Sequence, residues 1–336
     1  MTAQTPLRVG LIGCGAHGRS LAEALLASPL WQLVACADPD PAARAAVASE
    51  RIVPYPAVEE LLTGTAVDAV VLATPPDCLY ETALAAIQAH KHVLAEKPIG
   101  MDETEAAQLA EAVARAGVCY MAGYSFRFCP AVQQLHTLLH ADVVGEVVAV
   151  QGSIGVAPLN LGWHASPLTG GGPLLYVGSH LVDEILWTVE DLPEEVTAHA
   201  RYRADTGADE TVSFQIRFSR GAMATGLVTQ AADGFFNHLE LYGRDGRISL
   251  RGVDYLHYTL EVISKTLPAY VEPTIIHPRV YGDPKRAMLT AELAAFAQAI
   301  HERRPPIVTV HDGQRVLRVL DGILESARRG ATVWLQ

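Results

Sequence analysis

Charged residues are scarce in this chain: they make up 18% of its 336 positions, whereas hydrophobic residues make up 50%. This balance excludes a disordered or low-complexity protein, because it provides enough apolar surface for a large core. Positive charge is scarcer still, since 25 Lys and Arg face 37 Asp and Glu, and no basic run interrupts a net charge of −12. The composition therefore predicts neither a nucleic-acid partner nor a membrane partner.

Cysteine is also rare, with five residues and no C-x-x-C pair among them. An odd number without such a pair predicts reduced thiols in a cytoplasmic protein. No secretory signal is predicted, because the first residues lack a basic segment and Arg8 interrupts the apolar run that follows. The long charge-free stretch 147–182 contains seven glycines and three prolines, which excludes a transmembrane helix there. We therefore expect a cytoplasmic protein.

The chain is about twice as long as a typical domain of ~150 residues, so we expect two domains. In the first, short β-rich runs alternate with alanine-rich helical segments, which is typical of a doubly wound parallel sheet with crossover helices. The predicted strands are Leu7–Ile12, Gln32–Ala37, Val67–Ala73, His92–Glu96 and Val118–Gly123. The predicted helices are His17–Ala27, Pro41–Ser49, Leu79–Ala89 and Thr104–Ala116.

After about Tyr124 the pattern changes, because predicted strands follow one another without helices between them. Such a succession predicts an α+β domain with a large, mainly antiparallel open sheet. Its strands are Val147–Ile154, Val196–Tyr202, Val212–Phe218, Ala222–Thr229, Leu239–Tyr242, Arg247–Leu250 and Tyr255–Val262, and its helices Pro130–Leu139, Leu174–Trp187, Arg286–Glu302 and Gly313–Arg328. We expect domains of 1–124 and 125–336 with a cleft between them.

The turn after the first predicted strand, from Gly13 to Gly18, fits the pattern G-x-G-x-x-G. A helix follows it, and Asp38 ends the second strand 20 positions after Gly18. Glycines let the backbone approach a pyrophosphate, a helix N-terminus offers free N–H groups, and a carboxylate accepts from ribose hydroxyls. Because the strand, the glycine turn, the helix and Asp38 occur in the expected order and spacing, they predict a dinucleotide-binding site. Asp38 favours NAD, because it would repel a 2′-phosphate, while Arg44 leaves NADP possible.

Two further turns, Thr74-Pro75-Pro76 and Glu96-Lys97-Pro98, close predicted parallel strands. Both therefore lie at the carboxyl ends of strands, where open α/β sheets bind ligands. Lysine provides only four of the 25 basic residues, which indicates that Lys97 stands where an amine is required. A solvated surface lysine is the alternative interpretation.

In the second domain the glycine-rich turn Gly170–Gly172 opens a predicted helix. Its residues Tyr176, His180 and Asp183 stand at i, i+4 and i+7 and should share one face, apart from the apolar stripe of the helix. This placement favours a functional His180 over a packing residue. A metal bound by His180 and Asp183 is the weaker interpretation, because no further His or Cys lies nearby at ligand spacing, and no metal site is predicted.

These motifs, with the Arg127-Phe128 pair, resemble the glucose–fructose oxidoreductase / inositol dehydrogenase / rhizopine-catabolism (Gfo/Idh/MocA) family over the whole chain. The resemblance implies a Rossmann domain, then a domain for substrate binding and oligomerisation. It also implies hydride transfer between NAD or NADP and a secondary alcohol or ketone of a sugar, cyclitol or related polyol. The family's catalytic lysine and histidine fall on Lys97 and His180. The implied cofactor-binding residues are Gly13, Gly15, Ala16, His17, Gly18, Asp38, Thr74, Pro75, Pro76, Glu96 and Lys97.

Two positions depart from the family: Tyr176 stands where an aspartate is common, and Leu79 where a histidine is frequent. In the predicted mechanism His180 is the base and Lys97 the cation beside a developing alkoxide, with Asp183 or the Tyr176 hydroxyl orienting the imidazole. Aromatic rings can pack on the apolar faces of a sugar, and polar side chains can bind its hydroxyl groups. The predicted substrate-binding residues are Tyr124, Arg127, Trp163, His164, Tyr176, His180 and Asp183.

Two other functions stay open at this point. A nucleotide-binding regulator without turnover would account for Tyr176, although retention of Lys97 and His180 argues against it. An enzyme that oxidises a sugar transiently, in order to cleave a glycosidic bond, would use the same cofactor. The run Val212–Thr229 is apolar enough to need cover on both faces, which predicts a homodimer or homotetramer.

Overall fold

The computed structural model describes residues 5–159, 162–231, 233–254, 257–279 and 282–335. The chain forms two compact units, each discontinuous in sequence. Unit 1 runs to Ser125 and resumes over Met288–Arg315, and unit 2 comprises Phe126–Ala287 and the residues from Val316 on. Residues 1–124 are predicted to bind the cofactor and residues 125–336 to bind the substrate, and this division by function stays a prediction. As a compact body, unit 1 also contains Met288–Arg315.

Unit 1 is built on a parallel sheet. Its strands are β1 (Leu7–Ile12), β2 (Trp31–Ala37), β3 (Val53–Tyr55), β4 (Ala69–Leu72), β5 (His92–Glu96) and β6 (Tyr120–Gly123). They lie in the order β3-β2-β1-β4-β5-β6, and every neighbouring pair is parallel. The order reverses between β1 and β4, so their carboxyl ends flank the crevice in which such sheets bind ligands. The predicted doubly wound sheet is confirmed.

The helices that connect these strands are α1 (Ala16–Ala27), α2 (Pro41–Ala45), α3 (Val58–Gly64), α4 (Pro76–Gln88) and α5 (Glu103–Ala116). Residues at the ends of α5 determine its limits: Asp102 accepts from the N–H of Glu105 at 2.9 Å, and Gly117 closes the helix with φ 65°. The predicted helix Pro41–Ser49 is wrong beyond Ala45, and the prediction misses β3 and α3. The sequence pattern does not predict β3, because β3 is a short edge strand that contains Pro54.

Unit 2 contains a nine-stranded sheet. Its strands are β7 (Val147–Gly155), β8 (Pro193–Tyr202), β9 (Asp209–Phe218), β10 (Met223–Thr229), β11 (Phe236–Gly243), β12 (Gly246–Gly252), β13 (Tyr258–Ser264), β14 (Thr274–Ile276) and β15 (Val333–Trp334). The order is β14-β13-β12-β11-β7-β10-β9-β8-β15, and among the described strands of this sheet only β7 and β10 pair in parallel. The mainly antiparallel sheet is confirmed. The prediction misses β14 and β15, because these edge strands are too short to show an alternation of apolar and polar residues. Residues 255–256 of the predicted strand Tyr255–Val262 lie outside the described residues.

The helices of unit 2 include α6 (Pro130–His140) and α7 (Ser179–Val189), and a π-helical turn, Leu174–Gly178, leads into α7. α7 approaches β7 closely, since a Cβ at Gly152 would lie 2.5 Å from Leu181 Cδ1. Because Leu174–Gly178 is a π-helical turn, the prediction of one regular helix over Leu174–Trp187 is wrong at its start. Tyr176 lies within this π-helical turn, whereas His180 and Asp183 lie on α7.

Two long helices, α8 (Pro284–Glu302) and α9 (Val310–Arg329), confirm the predicted C-terminal pair. α8 belongs to unit 1 from Met288 on, where Trp31 Nε1 donates to the Leu293 carbonyl at 3.1 Å and the Trp31 ring stacks on Phe296 at 5.5 Å. None of the helices that the structure describes combines the length and the apolar character needed to cross a bilayer.

Candidate active site

The glycine turn between β1 and α1 has the geometry of a dinucleotide site. Gly13 has φ 91°, and a Cβ there would lie 2.5 Å from the Ala73 carbonyl oxygen, so only glycine fits. A Cβ at Gly18 would collide with the Gly13 carbonyl. At Gly15, in contrast, no described atom lies within 4 Å of a Cβ position, which leaves space over the first N–H groups of α1. The turn therefore fits the pyrophosphate of NAD.

Asp38 follows β2 beside this turn. Its Oδ2 accepts from the Cys14 N–H at 2.7 Å, and its Oδ1 accepts from the Asp40 N–H at 2.8 Å. These bonds hold the carboxylate in place and leave further lone pairs for donors such as ribose hydroxyls. An Arg44 Nη donates to the Pro39 carbonyl at 3.0 Å, so one cation lies close to the same loop.

The turn after β4 supplies a buried hydroxyl. Pro75 is the N-cap of α4 and Pro76 its first residue, a position where a missing N–H costs no helical hydrogen bond. Thr74 Oγ1 is buried and has no hydrogen-bond partner among the described residues. Because a buried polar group is costly unless it is satisfied, Thr74 fits a contact with the cofactor.

His17, Glu96 and Lys97 form a charged cluster in unit 1. His17 Nε2 and Glu96 Oε1 lie 2.6 Å apart, which joins α1 to the carboxyl end of β5. Burial acts to raise the pKa of Glu96, but His17 and Lys97 together hold it below its usual value. Burial lowers the pKa of Lys97 to about 8, although Glu96 opposes this shift. Lys97 is therefore a cation at neutral pH whose proton is unusually labile.

Glu292 on α8 is a functional candidate that sequence reasoning missed. Its side chain is completely buried, and burial together with the charge of Glu96 raises its pKa well above the usual value. Neither carboxyl oxygen has a hydrogen-bond partner among the described residues. Glu292 thus holds its proton more tightly than an exposed glutamate does, because it is buried near Glu96. Its only signal in the sequence is a lone acid within an apolar, alanine-rich run.

In unit 2 the structure brings Arg127 and Asp183 together as a buried ion pair. Arg127 Nε donates to Asp183 Oδ2 at 2.9 Å, and Arg127 Nη2 donates to Oδ1 at 2.6 Å. The guanidinium also lies over Trp187, 5.0 Å from the ring centroid. The two charges compensate each other, which fastens α7 to the segment before α6. A substrate contact for either residue stays a prediction.

His180 lies one turn before Asp183 on α7. It is buried, and its ring stacks on Phe126 with centroids 4.0 Å apart and planes 11° apart. Because Phe126 directly precedes Arg127, the stacked rings and the ion pair hold the same two segments together. An imidazole restrained in this way keeps one orientation, as a base in proton transfer requires.

Three predicted substrate-binding residues form an aromatic cluster in unit 2. The ring centroids of Trp163 and His164 are 3.6 Å apart, and Tyr176 meets these rings edge-on at 5.6 and 4.7 Å. Asp209, which sequence reasoning missed, anchors the π-helical turn of Tyr176, because its Oδ2 accepts from the Leu174 N–H at 2.9 Å. The remaining residue of the predicted set, Tyr124, is completely buried in unit 1, and its substrate contact stays a prediction.

A further unpredicted carboxyl group lies on α7, directly after Asp183. Glu184 is buried, and Asn237 Nδ2 donates to both its carboxyl oxygens, at 3.1 and 3.2 Å. Burial raises the pKa of Glu184 to about 8, so the group is protonated at neutral pH. α7 therefore carries an ionised and a neutral carboxyl group side by side.

The parallel sheet and its glycine turn define a dinucleotide-binding protein with a second, open-sheet domain. A family model described as "Oxidoreductase family, NAD-binding Rossmann fold" matches residues 7–124, and the GFO/IDH/MocA C-terminal domain matches residues 132–249. The chain belongs to the Gfo/Idh/MocA oxidoreductase family. It is accordingly an NAD(P)-dependent oxidoreductase whose cofactor-binding domain has the Rossmann fold.

Individual relatives agree with this assignment. The chain is 30% identical to trans-1,2-dihydrobenzene-1,2-diol dehydrogenase of Danio rerio, over 73% of this chain and 74% of that protein. It is 29% identical to 1,5-anhydro-D-fructose reductase of Ensifer adhaerens, over 81% of each. Among solved structures, an oxidoreductase domain protein from Kribbella flavida shares the fold, with a TM-score of 0.89 at 23% identity over 99% of this chain and 100% of that one.

Proposed function

We propose that this protein transfers a hydride between NAD and a secondary alcohol or ketone of a sugar, cyclitol or related polyol. The observation that carries the proposal is the position of the half-buried Lys97, directly after Glu96 at the carboxyl end of β5 in the NAD-binding domain. The names of two relatives refer to a diol and to an anhydro sugar, which supports this substrate class.

The bound nicotinamide supplies the carbon that accepts or returns the hydride. Hydride leaves a carbinol carbon only as its hydroxyl loses a proton, so the protein must provide a base and a cation. We assign the base to His180 and the cation that stabilises the alkoxide to Lys97. Tyr176 positions the substrate, because a phenol with a pKa of ~10 is neutral at pH 7 and cannot hold an imidazolium as a carboxylate would.

The residues that would hold NAD all lie in unit 1. The glycine turn and the start of α1 fit the pyrophosphate, Asp38 fits the ribose, and Thr74 offers a hydroxyl without a described partner. The remaining members of the proposed cofactor set are Ala16, His17, Pro75, Pro76, Glu96 and Lys97.

A cofactor and substrate panel tests the proposal. The protein is titrated with NAD and NADP in the presence of sugars, cyclitols and their ketones, and nicotinamide absorbance and product formation are followed. Net reduction or oxidation of the nicotinamide by a polyol or its ketone is expected. Cofactor binding without any turnover would instead indicate a regulator, and glycoside cleavage without net reduction would indicate transient oxidation.

Asp38 should set the preference for NAD over NADP. Replacing Asp38 with alanine removes the charge that repels a 2′-phosphate, so the ratio of the two affinities should fall roughly 10-fold, the scale of ~1.4 kcal/mol. Fluorescence titration with both cofactors measures this ratio, and Asp40→Ala on the same loop is the control. Equal binding of NAD and NADP by the wild type, or an unchanged ratio in Asp38→Ala, would contradict this role.

We also propose that the protein forms a homodimer or homotetramer through the open face of the nine-stranded sheet. β10 alternates buried and exposed residues, and Met223 and Leu227 remain 48% and 40% exposed. Tyr242 on β11 is also exposed beside a concave region of about 650 Å³. These three apolar side chains lie among polar ones such as Gln151, Thr225 and His238, and a second copy of the chain would cover them. Sedimentation should show an oligomer at micromolar concentration, and a monomer there would exclude it.

A further inference from the structure

We propose that His136, His140 and Glu190 form a binding site for Zn²⁺ in unit 2. The three residues offer two imidazole nitrogens and a carboxylate oxygen, all within 4.8 Å of one another. None of them belongs to the residues assigned to hydride transfer. The proposal departs from the expectation of no metal site, which rested on the residues around His180 alone.

The two histidines are placed by α6. Residues at i and i+4 of a helix lie on one face, and the rings of His136 and His140 meet edge to face with centroids 4.1 Å apart. Two histidines at this spacing on a helix can bind one zinc ion. The spacing H-x-x-x-H is therefore also the signal that the sequence carries for the site.

Glu190 is placed by the end of α7. It is the C-cap of that helix, in the left-handed conformation with φ 51°, and its N–H donates to the Leu186 carbonyl at 3.2 Å. Arg220 Nη2 donates to the Glu190 carbonyl at 2.8 Å. The backbone of Glu190 is thus held by hydrogen bonds on both sides, while its exposed side chain can turn toward the histidines.

His136 is prepared to act as a ligand. Its ring stacks on Trp187, with centroids 3.7 Å apart and planes 17° apart, which restrains the imidazole. Its Nε2 is buried and has no hydrogen-bond partner among the described residues. A restrained imidazole whose nitrogen has no hydrogen-bond partner is suited to bind a metal.

The surrounding charges leave a negative charge on Glu190 alone. Glu146 pairs with Arg244 at 2.6 Å, and Asp191 pairs with Arg220 at 3.3 Å. The nearby Arg127 is compensated by Asp183. The Glu190 carboxylate, in contrast, makes no hydrogen bond or ion pair with any residue in the described part of the chain. A cation at this point would therefore meet an uncompensated carboxylate.

The donor set favours zinc over Mg²⁺ and Ca²⁺. Two imidazoles with one carboxylate suit zinc, which keeps a fourth position for water in sites with three protein ligands. Mg²⁺ and Ca²⁺ prefer oxygen donors throughout. All three side chains line a cavity of about 200 Å³, which has room for the water. An ion held there would join α6 to the end of α7.

The test is a zinc titration of the full chain after removal of metal with a chelator, in competition with a chromogenic chelator. The wild type should bind one equivalent. His140→Ala and Glu190→Gln should each bind at least 10-fold more weakly, and His136→Phe, which keeps the ring on Trp187 but removes both nitrogens, should do the same. His199→Ala, at an exposed histidine on β8, is the matched control.

Two further readouts make the result decisive. Zinc should raise the unfolding temperature of the wild type and of His199→Ala but not of the three ligand variants, because a ligand stabilises only the state that binds it. Co²⁺ in place of zinc should give the visible absorption of a four-coordinate site. Zinc binding that survives all three substitutions, weak binding at several sites, or Mg²⁺ binding as tight as zinc binding would overturn the proposal.

Discussion

The two units use their polar side chains in opposite ways. In unit 1 they stand at the carboxyl ends of parallel strands and on short turns, and Thr74 keeps a buried hydroxyl without a partner among the described residues. In unit 2 the charges on α7 are compensated within the unit, since Asp183 binds Arg127 and Glu184 is neutral beside Asn237. Unit 1 therefore offers these groups to a ligand, whereas Asp183 and Glu184 of unit 2 fix the helix that carries His180.

The largest effect should follow from breaking the buried ion pair of unit 2. Asp183→Ala leaves Arg127 buried and uncompensated, so the free energy of unfolding should fall by about 3–5 kcal/mol, measured by urea denaturation. The double variant Arg127→Met with Asp183→Leu should recover most of this loss, because no isolated charge remains. A loss below about 1 kcal/mol in Asp183→Ala would show that the pair does not hold α7.

Substitutions of Lys97 in unit 1 and His180 in unit 2 test whether both units contribute a residue to the same reaction. Lys97→Ala and His180→Ala should each lower kcat on the order of 10²-fold or more, the scale of an acid–base or oxyanion contribution, with little change in cofactor affinity. Steady-state kinetics and NAD titration measure the two quantities. Lys91→Ala is the control in unit 1. Full activity in either variant would remove that residue from the mechanism.

Tyr176 should have a smaller effect. Tyr176→Phe keeps the ring that packs on Trp163 and His164 and removes one hydroxyl, so kcat should fall roughly 10-fold, equivalent to one hydrogen bond of about 1.4 kcal/mol. Abolished turnover with intact NAD binding would make the tyrosine the proton-transfer group in place of His180. Unchanged activity would mean that Tyr176 only packs.

Glu184 should make stability depend on pH in unit 2. Its pKa is raised from 4.5 to about 8 in the folded protein, so the folded state binds the proton more tightly than the unfolded chain. The stabilisation is complete below pH 4.5 and is lost as the pH rises through about 8. Within this window the difference in unfolding free energy between wild type and Glu184→Gln should change by at most about 1.4 kcal/mol per pH unit. The exposed Glu50→Gln should show no such change.

The backbone features of unit 1 could be predicted because each depends on neighbours in sequence. The glycine turn, the limits of α5 and the alternation of strands and helices all have local causes. The contacts of unit 2 could not, because Arg127 and Asp183 lie 56 positions apart and neither residue indicates the other. The π-helical turn before α7 was missed for the same reason, since its anchor, Asp209, comes from β9.

The discontinuity of unit 1 also determines when it can fold during synthesis. Trp31 and Ala122 donate hydrogen bonds to the Leu293 and Val308 carbonyls, and Gln314 donates one to Glu103, so the early part of the unit needs partners that are synthesised only after Phe126–Ala287. Part of the apolar surface of the nascent Rossmann sheet therefore stays exposed until Met288–Arg315 is synthesised, after nearly all of unit 2. Premature termination before Met288 would deprive both units of the residues that complete them.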